Sequence, residues 1–483
     1  MIFKKKYLFW CSGTFLVFAI IFFSGLFFHS RTVVQETNIF KGVELSTLPK
    51  ENPFGQYEKT CSINDFGADH EDAIKTREAF RRAFSECSPG GKVVVPSGIW
   101  KTGGITIPSE VALTLEEGAN VIFSSDPNLY LPVVPTRFEG MDVINYQPLL
   151  YIPNAHNVVI SGKGTFTGNG SAWWGLRKKN SIGEGFLNEE GSARMLYDMT
   201  RNNIPLEQRI FGSMERPLRP SFIQPYKSEN IIIEDVRFIE GPMWTIHPTY
   251  TDNVLIRDVV VETSGPNTDG IAIDSCNGVK IHGVQISSGD DAIVIKSGLD
   301  YDGWREASPS QHVQIQDVHV LRGNGGITIG SEMSGGVEDV VVDSAIFENV
   351  GTGIRLKTLK GRGGYVRNIA FRNIEMRDVI EDAIKLDMTY SYATFKSESN
   401  EYPKIQEIVM ENINVYGADR AIRIDGGEPG FSNIVLKNAD FQVGKAGKIN
   451  DVKGLTLENI IIHNNEDNIL LDLDIRDRIY PQK

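Results

Sequence analysis

Three aspartates in two short segments carry the strongest chemical signal of the sequence. Asp290 and Asp291 are adjacent in "SSGDDAIVIK" and stand directly before an apolar run typical of a buried strand, while Asp269 lies 21 residues earlier in "NTDG". Each segment alone is also a good turn sequence. Three clustered carboxylates meet the requirement of glycoside hydrolysis, in which one acid stays protonated and the others hold a water molecule. Calcium binding is a second use of such a cluster.

The segments around these aspartates share one strand pattern. Asn230, Asn253 and Asn277 stand at similar points of runs with alternating apolar residues, and they are 23 and 24 residues apart. Period-two alternation inside units of about two dozen residues indicates parallel strands stacked coil upon coil. The units with this pattern are 228–240, 251–263, 276–288, 310–322, 366–378 and 431–443. We therefore predict an all-β protein, a single right-handed parallel β-helix, with a short capping helix over 71–84 where apolar residues have helical spacing.

Coil stacking turns an offset in sequence into proximity in space. Residues one coil apart in a parallel β-helix lie about 4.8 Å from each other. Asp269 precedes Asp290 by roughly one coil, so we expect Asp269, Asp290 and Asp291 to converge on one face of two successive coils. A turn or bulge at Gly289 would present both adjacent carboxylates outward. Because like charges this close cannot all ionise comfortably, their protonation states should differ.

A basic segment follows the aspartates in an otherwise acidic chain. Arg355 and Lys357 in "GIRLK" are two residues apart and share one face of a strand, which coil stacking brings near the aspartates. A charge run is usually only a solvated face. Arginine binds carboxylates through two parallel hydrogen bonds, so this pair points to an acidic sugar as substrate. Lys296 and His247 are further candidate contacts, although a hydrogen-bonded structural histidine is an equal alternative for His247.

The N-terminal residues and the net charge limit which cellular compartment and which binding partners the sequence allows. Lysines at 4–6 precede an uncharged apolar stretch at 7–28, the order of a signal peptide or a membrane anchor. We therefore predict an exported protein, periplasmic, cell-surface or secreted, with membrane contact only through this segment. The formal net charge of −13 argues against nucleic acid as a partner. Cys61 and Cys87 are a candidate disulfide pair, and no spacing of cysteines and histidines suggests zinc.

With these residues in place, the chain resembles glycoside hydrolase family 28, the polygalacturonases and their relatives. The resemblance covers roughly residue 61 to the C-terminus and depends on segments that occur in family order: "NDFGA" (64–68), "VVVPSGIW" (93–100), "LTLEEGA" (113–119), "GKGTFTGNGSAWW" (162–174), "WTIHP" (244–248), "NTDG" (267–270), "GDD" (289–291), "IGSEMSGG" (329–336) and "RLK" (355–357). It implies that Asp290 is the general acid and that Asp269 and Asp291 activate the attacking water, in an inverting mechanism without a metal or cofactor. It also implies that Arg355 and Lys357 bind the uronate group.

One position departs from the family pattern. The family commonly has Gly-His-Gly where this chain has "GNGG" (323–326), so Asn324 replaces a histidine next to the aspartates. Asparagine donates a hydrogen bond but cannot titrate, and Asn324 is a further candidate contact to substrate. This departure leaves three alternatives open, namely an active enzyme with a shifted pH optimum, a rhamnogalacturonan-active hydrolase, and a catalytically inactive pectin-binding protein. A calcium-dependent β-helix lyase is a fourth alternative, which the NTDG and GDD pair disfavours.

These observations define the expected function and domain organisation. We expect a monomeric hydrolase that cleaves α-linked galacturonic acid bonds in pectin, an acidic plant cell-wall polysaccharide. The insertion at 297–310 and the loop at 329–336 resemble those of bacterial members that act from chain ends, which favours exo-cleavage. The expected organisation is a signal peptide or anchor over 1–30, a linker over 31–58 and the β-helix catalytic domain over 59–480.

Overall fold

The computed structural model describes residues 53–178, 187–464 and 472–474. The described strands of the first half are β1 (Thr60–Ser62), β2 (Gly91–Val95), β3 (Gly98–Thr102), β4 (Ile105–Thr106), β5 (Val111–Leu115), β6 (Ala119–Phe123), β7 (Val134–Phe138), β8 (Met141–Asn145), β9 (Leu150–Pro153), β10 (His156–Gly162), β11 (Thr165–Thr167), β12 (Ile223–Tyr226), β13 (Glu229–Glu234) and β14 (Arg237–Ile239). Those that follow are β15 (Asp252–Arg257), β16 (Val260–Glu262), β17 (Ile271–Asp274), β18 (Asn277–His282), β19 (Gln285–Ser287), β20 (Ile293–Lys296), β21 (Ser310–Gly330), β22 (Val337–Glu348), β23 (Val350–Lys357), β24 (Tyr365–Asp387), β25 (Lys404–Asp425), β26 (Phe431–Val443), β27 (Lys445–Asn450), β28 (Val452–Asn464) and β29 (Asp472–Asp474). The described α-helices are α1 (Ala73–Cys87), α2 (Gly170–Lys178), α3 (Glu189–Arg201) and α4 (Asp300–Glu306).

These strands form the predicted right-handed parallel β-helix, which is confirmed. Strands of successive coils pair in parallel and in register, as β13 pairs with β15 and β15 with β18. One register position runs through Val158, Ile231, Val254, Val279, Val313 and Val340, all fully buried. Alternate residues of each strand thus stack into apolar columns, which explains why period-two alternation identified the fold.

The turn that repeats with each coil accounts for the recurring asparagines. Asn230 and Asn253 have φ of 57° and 56°, a left-handed conformation that asparagine tolerates, and the Asn253 amide donates to Asn230 Oδ1 at 3.2 Å. The prediction that Asn277 is the third member of this repeat is wrong by one residue. Asp252 pairs with Asn277, so Gly278, with φ 76°, occupies the position equivalent to Asn253. Glycine serves there because it adopts positive φ without strain.

Helix α1 closes the N-terminal end of the core, as predicted, although it spans 73–87 and not 71–84. Its N-cap, Asp72, accepts hydrogen bonds from the backbone of the first turn, and Phe80 and Phe84 pack into the core of the first coils. A disulfide joins Cys61 in β1 to Cys87 at the helix end. The cap is therefore covalently tied to the first strand.

Helices α2, α3 and α4 were not predicted from the sequence. In α3, Ala193, Leu196, Tyr197 and Thr200 are buried at spacings of three and four residues, a helical signal that was present in the sequence. The hairpin of β7 and β8 and helices α3 and α4 contribute to a second hydrophobic cluster, which includes Phe138, Leu196, Trp244, Ala272, Val294 and Leu299. This cluster covers part of the outer surface of the β-helix.

The predicted signal or anchor over 1–30 and most of the predicted linker over 31–58 lie outside the described residues. The first described strand, β1, begins at Thr60. Within the described ranges, no helix is long and apolar enough to span a membrane.

Candidate active site

The candidate site lies on the outer face of the sheet that contains β17, β20, β21 and β23. Ile271, Ile293, Ile327 and Ile354 share one register position and point into the core. The next residue in each strand therefore points outward, at the position that Ala272, Val294, Thr328 and Arg355 share. Two residues further on, Lys296 and Lys357 occupy a second outward position, with Gly330 between them.

The structure brings the three aspartates together at the entry to these strands. The backbone amide of Gly270 donates to the carbonyl of Asp291 at 3.0 Å, so Asp269 and Asp291 lie on neighbouring coils. The chain bends at Gly289 and Asp290, as expected, but only Asp290 reaches the pocket surface beside Asp269. Asp291 is fully buried, because two cations cover its carboxylate.

The surroundings of Asp291 and Asp269 separate their protonation states. Lys357 Nζ lies 2.7 Å from one oxygen of Asp291, and Arg355 donates to the other at 3.3 Å. Burial opposes ionisation of Asp291, but these cations outweigh it and hold its pKa well below the usual range. Burial, together with the charge of Asp290, raises the pKa of Asp269 well above the ordinary value. The site thus combines a carboxyl group that ionises readily with one that resists ionisation.

The predicted cations line the same pocket. Lys296 pairs with Glu332 and lies 4.6 Å from the centre of the Trp244 ring. Tyr390 lies beside both other cations, 5.8 Å from Arg355 and 5.7 Å from Lys357. The buried Nε of Arg355 has no acceptor in the part of the chain that the structure describes. A ligand oxygen would satisfy it.

Asn324, at the position where the family commonly has histidine, contacts Asp290 twice. Its backbone amide donates to the Asp290 carbonyl at 2.8 Å, and its side-chain amide donates to Asp290 Oδ1 at 3.2 Å. Asn324 therefore assists Asp290 as a fixed donor and does not take part in proton exchange.

The structure does not bring His247 to the pocket. Its ring is fully buried, and its Nδ1 lies 2.9 Å from Ser221 Oγ and 3.1 Å from Gln224 Nε2. Burial lowers its pKa, and the ring packs edge-on against Trp244. The predicted contact between His247 and substrate is therefore corrected, because the second hydrophobic cluster covers this part of the outer face.

The pocket has a cavity volume of about 290 Å³, at the small end of ligand sites of about 300–1,000 Å³. It is unusually rich in charge. Its cations are Arg177, Lys296, Arg355, Lys357 and Arg362, its acids are Glu139, Asp269, Asp290 and Glu332, and its aromatic residues are Trp244, Tyr390, Tyr392 and Phe395. Such a lining suits a small anionic and hydroxylated ligand.

Buried ion pairs hold the wall at one end of this pocket. Arg362 pairs with Asp300 at 2.7 Å and Arg209 with Asp302 at 2.6 Å, and all four side chains are nearly inaccessible to solvent. Asp300 and Asp302 are therefore part of a buried wall and not of a solvated loop. Because a buried carboxylate requires a partner, these pairs fix helix α4 against the rest of the wall.

Several lining residues were missed by the sequence analysis. Glu139, Arg177 and Tyr390 belong to the β7–β8 hairpin, to α2 and to the loop after β24, which lie far apart in the chain. No local pattern links such positions. Glu332 could have been noticed in the "IGSEMSGG" loop as an acidic residue two after Gly330, in the coil that follows Lys296.

Within the described residues, no three carboxylate, histidine or cysteine side chains are arranged to hold a metal ion. The oxygens of Asp291 contact Lys357 and Arg355.

A carboxylate cluster in a cation-lined groove of a parallel β-helix defines a glycoside hydrolase that acts on acidic polysaccharides. The chain belongs to glycosyl hydrolases family 28, whose sequence pattern matches residues 212–457. It is 30% identical to a probable polygalacturonase from Vitis vinifera, over 82% of this chain and 78% of the relative. It is 21% identical to an exo-poly-alpha-D-galacturonosidase from Dickeya chrysanthemi, over 84% of this chain and 71% of the relative.

Solved structures show the same relationship. The crystal structure of a hyperthermoactive exopolygalacturonase from Thermotoga maritima superposes with a TM-score of 0.81 at 34% identity, over 88% of this chain and 96% of that one. A polygalacturonase from Erwinia carotovora, at 20% identity and a TM-score of 0.59, shares the fold. The chain is therefore an enzyme of the family that the sequence resembled.

Proposed function

We propose that this enzyme hydrolyses α-linked galacturonic acid bonds in pectin and releases units from the chain end with inversion of configuration. The observation that carries the proposal is the small pocket in which Asp269 and Asp290 stand among five cations in a chain of net charge −13. A local concentration of cations in an acidic protein favours the binding of an anionic ligand. Galacturonan supplies one carboxylate per sugar.

Protons would be divided among the three aspartates in a way that fits an inverting mechanism. Asp291, held ionised by Lys357 and Arg355, is buried beneath them and would share the activation of water with Asp269, which lines the pocket. The Asp269–Asp290 pair retains one proton, because two adjacent carboxylates cannot both ionise comfortably and burial disfavours the charge on Asp269. We assign delivery of the proton that this pair shares to Asp290, which lines the pocket, and leave Asp269 as the ionised partner.

Three of the predicted cations would orient the uronate groups. Arg355 and Lys357 line the pocket beside Asp290, and Arg355 Nε is buried without an acceptor among the described residues. A substrate carboxylate would accept from this donor while Asp291 retains the remaining contacts. Lys296, Gly330 and Lys357 share one outward register position on three successive coils, with Gly330 in the middle coil.

Exo-action is supported by the covering of one end of the groove. Ala272 and Val294 share the outward register position of Arg355 but are fully buried beneath the second hydrophobic cluster. A polymer could therefore not continue along this face past the aspartates. The similarity to an exopolygalacturonase structure at 34% identity is consistent with this inference.

The proposed function includes a cellular location and an oligomeric state. We propose export to the cell surface, periplasm or medium, with residues 1–30 as signal or anchor, 31–58 as linker and 59–480 as one catalytic domain. Acidic cell-wall polysaccharide is the proposed partner of a monomeric enzyme.

Proton NMR tests the reaction. The full chain is mixed with oligogalacturonides and, separately, with rhamnogalacturonan oligomers, and new anomeric signals are followed with time. We expect monomer from the oligogalacturonides alone, first as the β anomer. Asp290→Asn should lower kcat by about 10²–10⁴-fold while ligand binding, measured by calorimetry, is retained.

Asp235→Asn is the matched control, because Asp235 is exposed at a turn with φ 60°, where asparagine is equally at home. Its activity should equal that of the wild type. Signals from rhamnogalacturonan alone would identify the second candidate substrate. An initial α anomer would contradict inversion, and full activity of Asp290→Asn would contradict the assigned acid.

A further inference from the structure

Glu139 occupies a backbone position that glutamate rarely adopts. Strands β7 and β8 pair up to Phe138 and Met141, so Glu139 and Gly140 form a two-residue hairpin turn. Both have positive φ, 44° and 77°. This turn ordinarily takes Asn-Gly, Asp-Gly or Gly-Gly, because a longer side chain is strained in the left-handed region. Strain of this kind at a pocket is a reason to look for a function.

The tip of this hairpin is fixed against the pocket wall. The Leu299 amide donates to the Gly140 carbonyl at 2.9 Å. A Cβ atom at Gly140 would lie 2.8 Å from Leu299 N and 3.1 Å from Glu332 Cβ, so glycine permits the close approach. The hairpin therefore places the Glu139 side chain at the closed end, where it lines the pocket with Leu299, Glu332 and Arg177.

The Glu139 carboxyl group has no role in the mechanism above. In the described part of the chain it has no hydrogen-bond or ion-pair partner. Burial and the charges of Glu189 and Glu332 raise its pKa to about 7, against the opposing effect of Arg177 and Arg219. Near neutral pH it can both donate and accept, which matches the properties of a sugar hydroxyl.

We propose that Glu139 recognises the free end of the galacturonan chain through a hydrogen bond with the terminal 4-hydroxyl group. In a 4-linked chain, every internal sugar carries its glycosidic bond at this oxygen, so only a chain end possesses the free hydroxyl. A polar group at the closed end that pairs with this hydroxyl both seats the terminal sugar and rejects ends that lack it. This inference rests on the proposed function and names the group that selects chain ends.

The test compares two trisaccharides. Trigalacturonate has the terminal 4-hydroxyl, whereas 4,5-unsaturated trigalacturonate lacks it. Glu139→Gly removes the carboxyl group and relieves the backbone strain, so this variant should fold at least as stably as the wild type in thermal unfolding. We expect its kcat/KM for trigalacturonate to fall by about 10–100-fold, the loss typical of one hydrogen bond to a charged group. Its kcat/KM for the unsaturated trisaccharide should stay unchanged.

Glu139→Gln retains hydrogen-bonding atoms and should lose less than the glycine variant. Glu110→Gly is the matched control, because Glu110 also has positive φ, 55°, and does not line the pocket. It should keep full activity on both trisaccharides. An equal loss on both by Glu139→Gly, or no loss at all, would overturn the inference.

The activity of the wild type on the two trisaccharides distinguishes a failure of this inference from a failure of the proposed function. Cleavage of both trisaccharides at the same rate would overturn chain-end recognition by Glu139 and leave galacturonan hydrolysis standing. Cleavage of neither would overturn both.

Discussion

The protein environment favours opposite protonation states for two of the aspartates at the site. This difference predicts how the free energy of unfolding depends on each of them. The pKa of Asp291 is lowered by its cations, so its ionised form contributes stability above the ordinary aspartate pKa of about 3.9, and this contribution is lost as pH falls below it. The pKa of Asp269 is raised by burial, so its ionisation costs stability as pH rises above the same value.

The variants Asp291→Asn and Asp269→Asn should therefore differ in their effect on the unfolding temperature at pH 7, and only Asp291→Asn should lower it. Asp291→Asn leaves Lys357 and Arg355 without their carboxylate and should destabilise by about 3–5 kcal/mol. Asp269→Asn removes a group that resists ionisation and should be neutral or stabilising. Thermal unfolding at pH 7 and at pH 3.5 measures both shifts, which should shrink at the lower pH. Destabilisation by both variants at pH 7 would contradict the assigned protonation states.

Asn324 offers a prediction on the pH dependence of catalysis. A histidine placed there would stand within hydrogen-bond distance of Asp290, and it titrates near pH 6.5. We expect Asn324→His to change the pH profile of kcat/KM, with a new transition between about pH 5 and 8. The profile is measured on trigalacturonate, and Asn324→Gln, which retains an amide donor, is the control. An unaltered profile for the histidine variant would show that position 324 does not influence the acid.

At the scale of elements, the strands and the capping helix α1 were predictable from the sequence, whereas the short helix α4 was not. The strands carry their own alternation, and the pattern recurs with every coil, so Ile231, Val254 and Val279 could be recognised without tertiary information. The short helix α4 covers only seven residues, too few for a helical period to be read. The longer helix α3 has a readable helical period in the spacing of its buried residues.

The β7–β8 hairpin and helices α3 and α4 form most of the wall that closes one end of the pocket. The β7–β8 hairpin is joined to the β-helix by Arg137, which bonds to Asp274 at 2.8 Å. Helix α3 is joined by Glu189, which pairs with the buried Arg219 at 2.7 Å. A buried ion pair loses much of its value when one partner is removed, so these contacts hold the wall in one position.

At the scale of the whole molecule, the covered end of the groove predicts how polygalacturonate should be degraded. An enzyme that engages only chain ends shortens each polymer slowly, whereas internal cleavage halves it. We expect reducing ends to accumulate while the viscosity of the solution stays nearly constant. Viscometry with a parallel reducing-end assay measures this, with an endo-acting polygalacturonase as the comparison. A steep early fall in viscosity would contradict a closed groove.

The sequence by itself determined the parallel β-helix and the neighbourhood of Asp269, Asp290, Asp291, Arg355 and Lys357, because both depend on alternation within a strand and on an offset of one coil. Only the tertiary structure decided which carboxylate is buried beneath cations, why His247 is covered and which residues close the pocket. Those features arise from contacts between distant segments, such as Arg209 with Asp302 and Glu139 beside Glu332. Such contacts leave no local periodicity in the chain, so they cannot be inferred from the sequence pattern and are defined only by the folded structure.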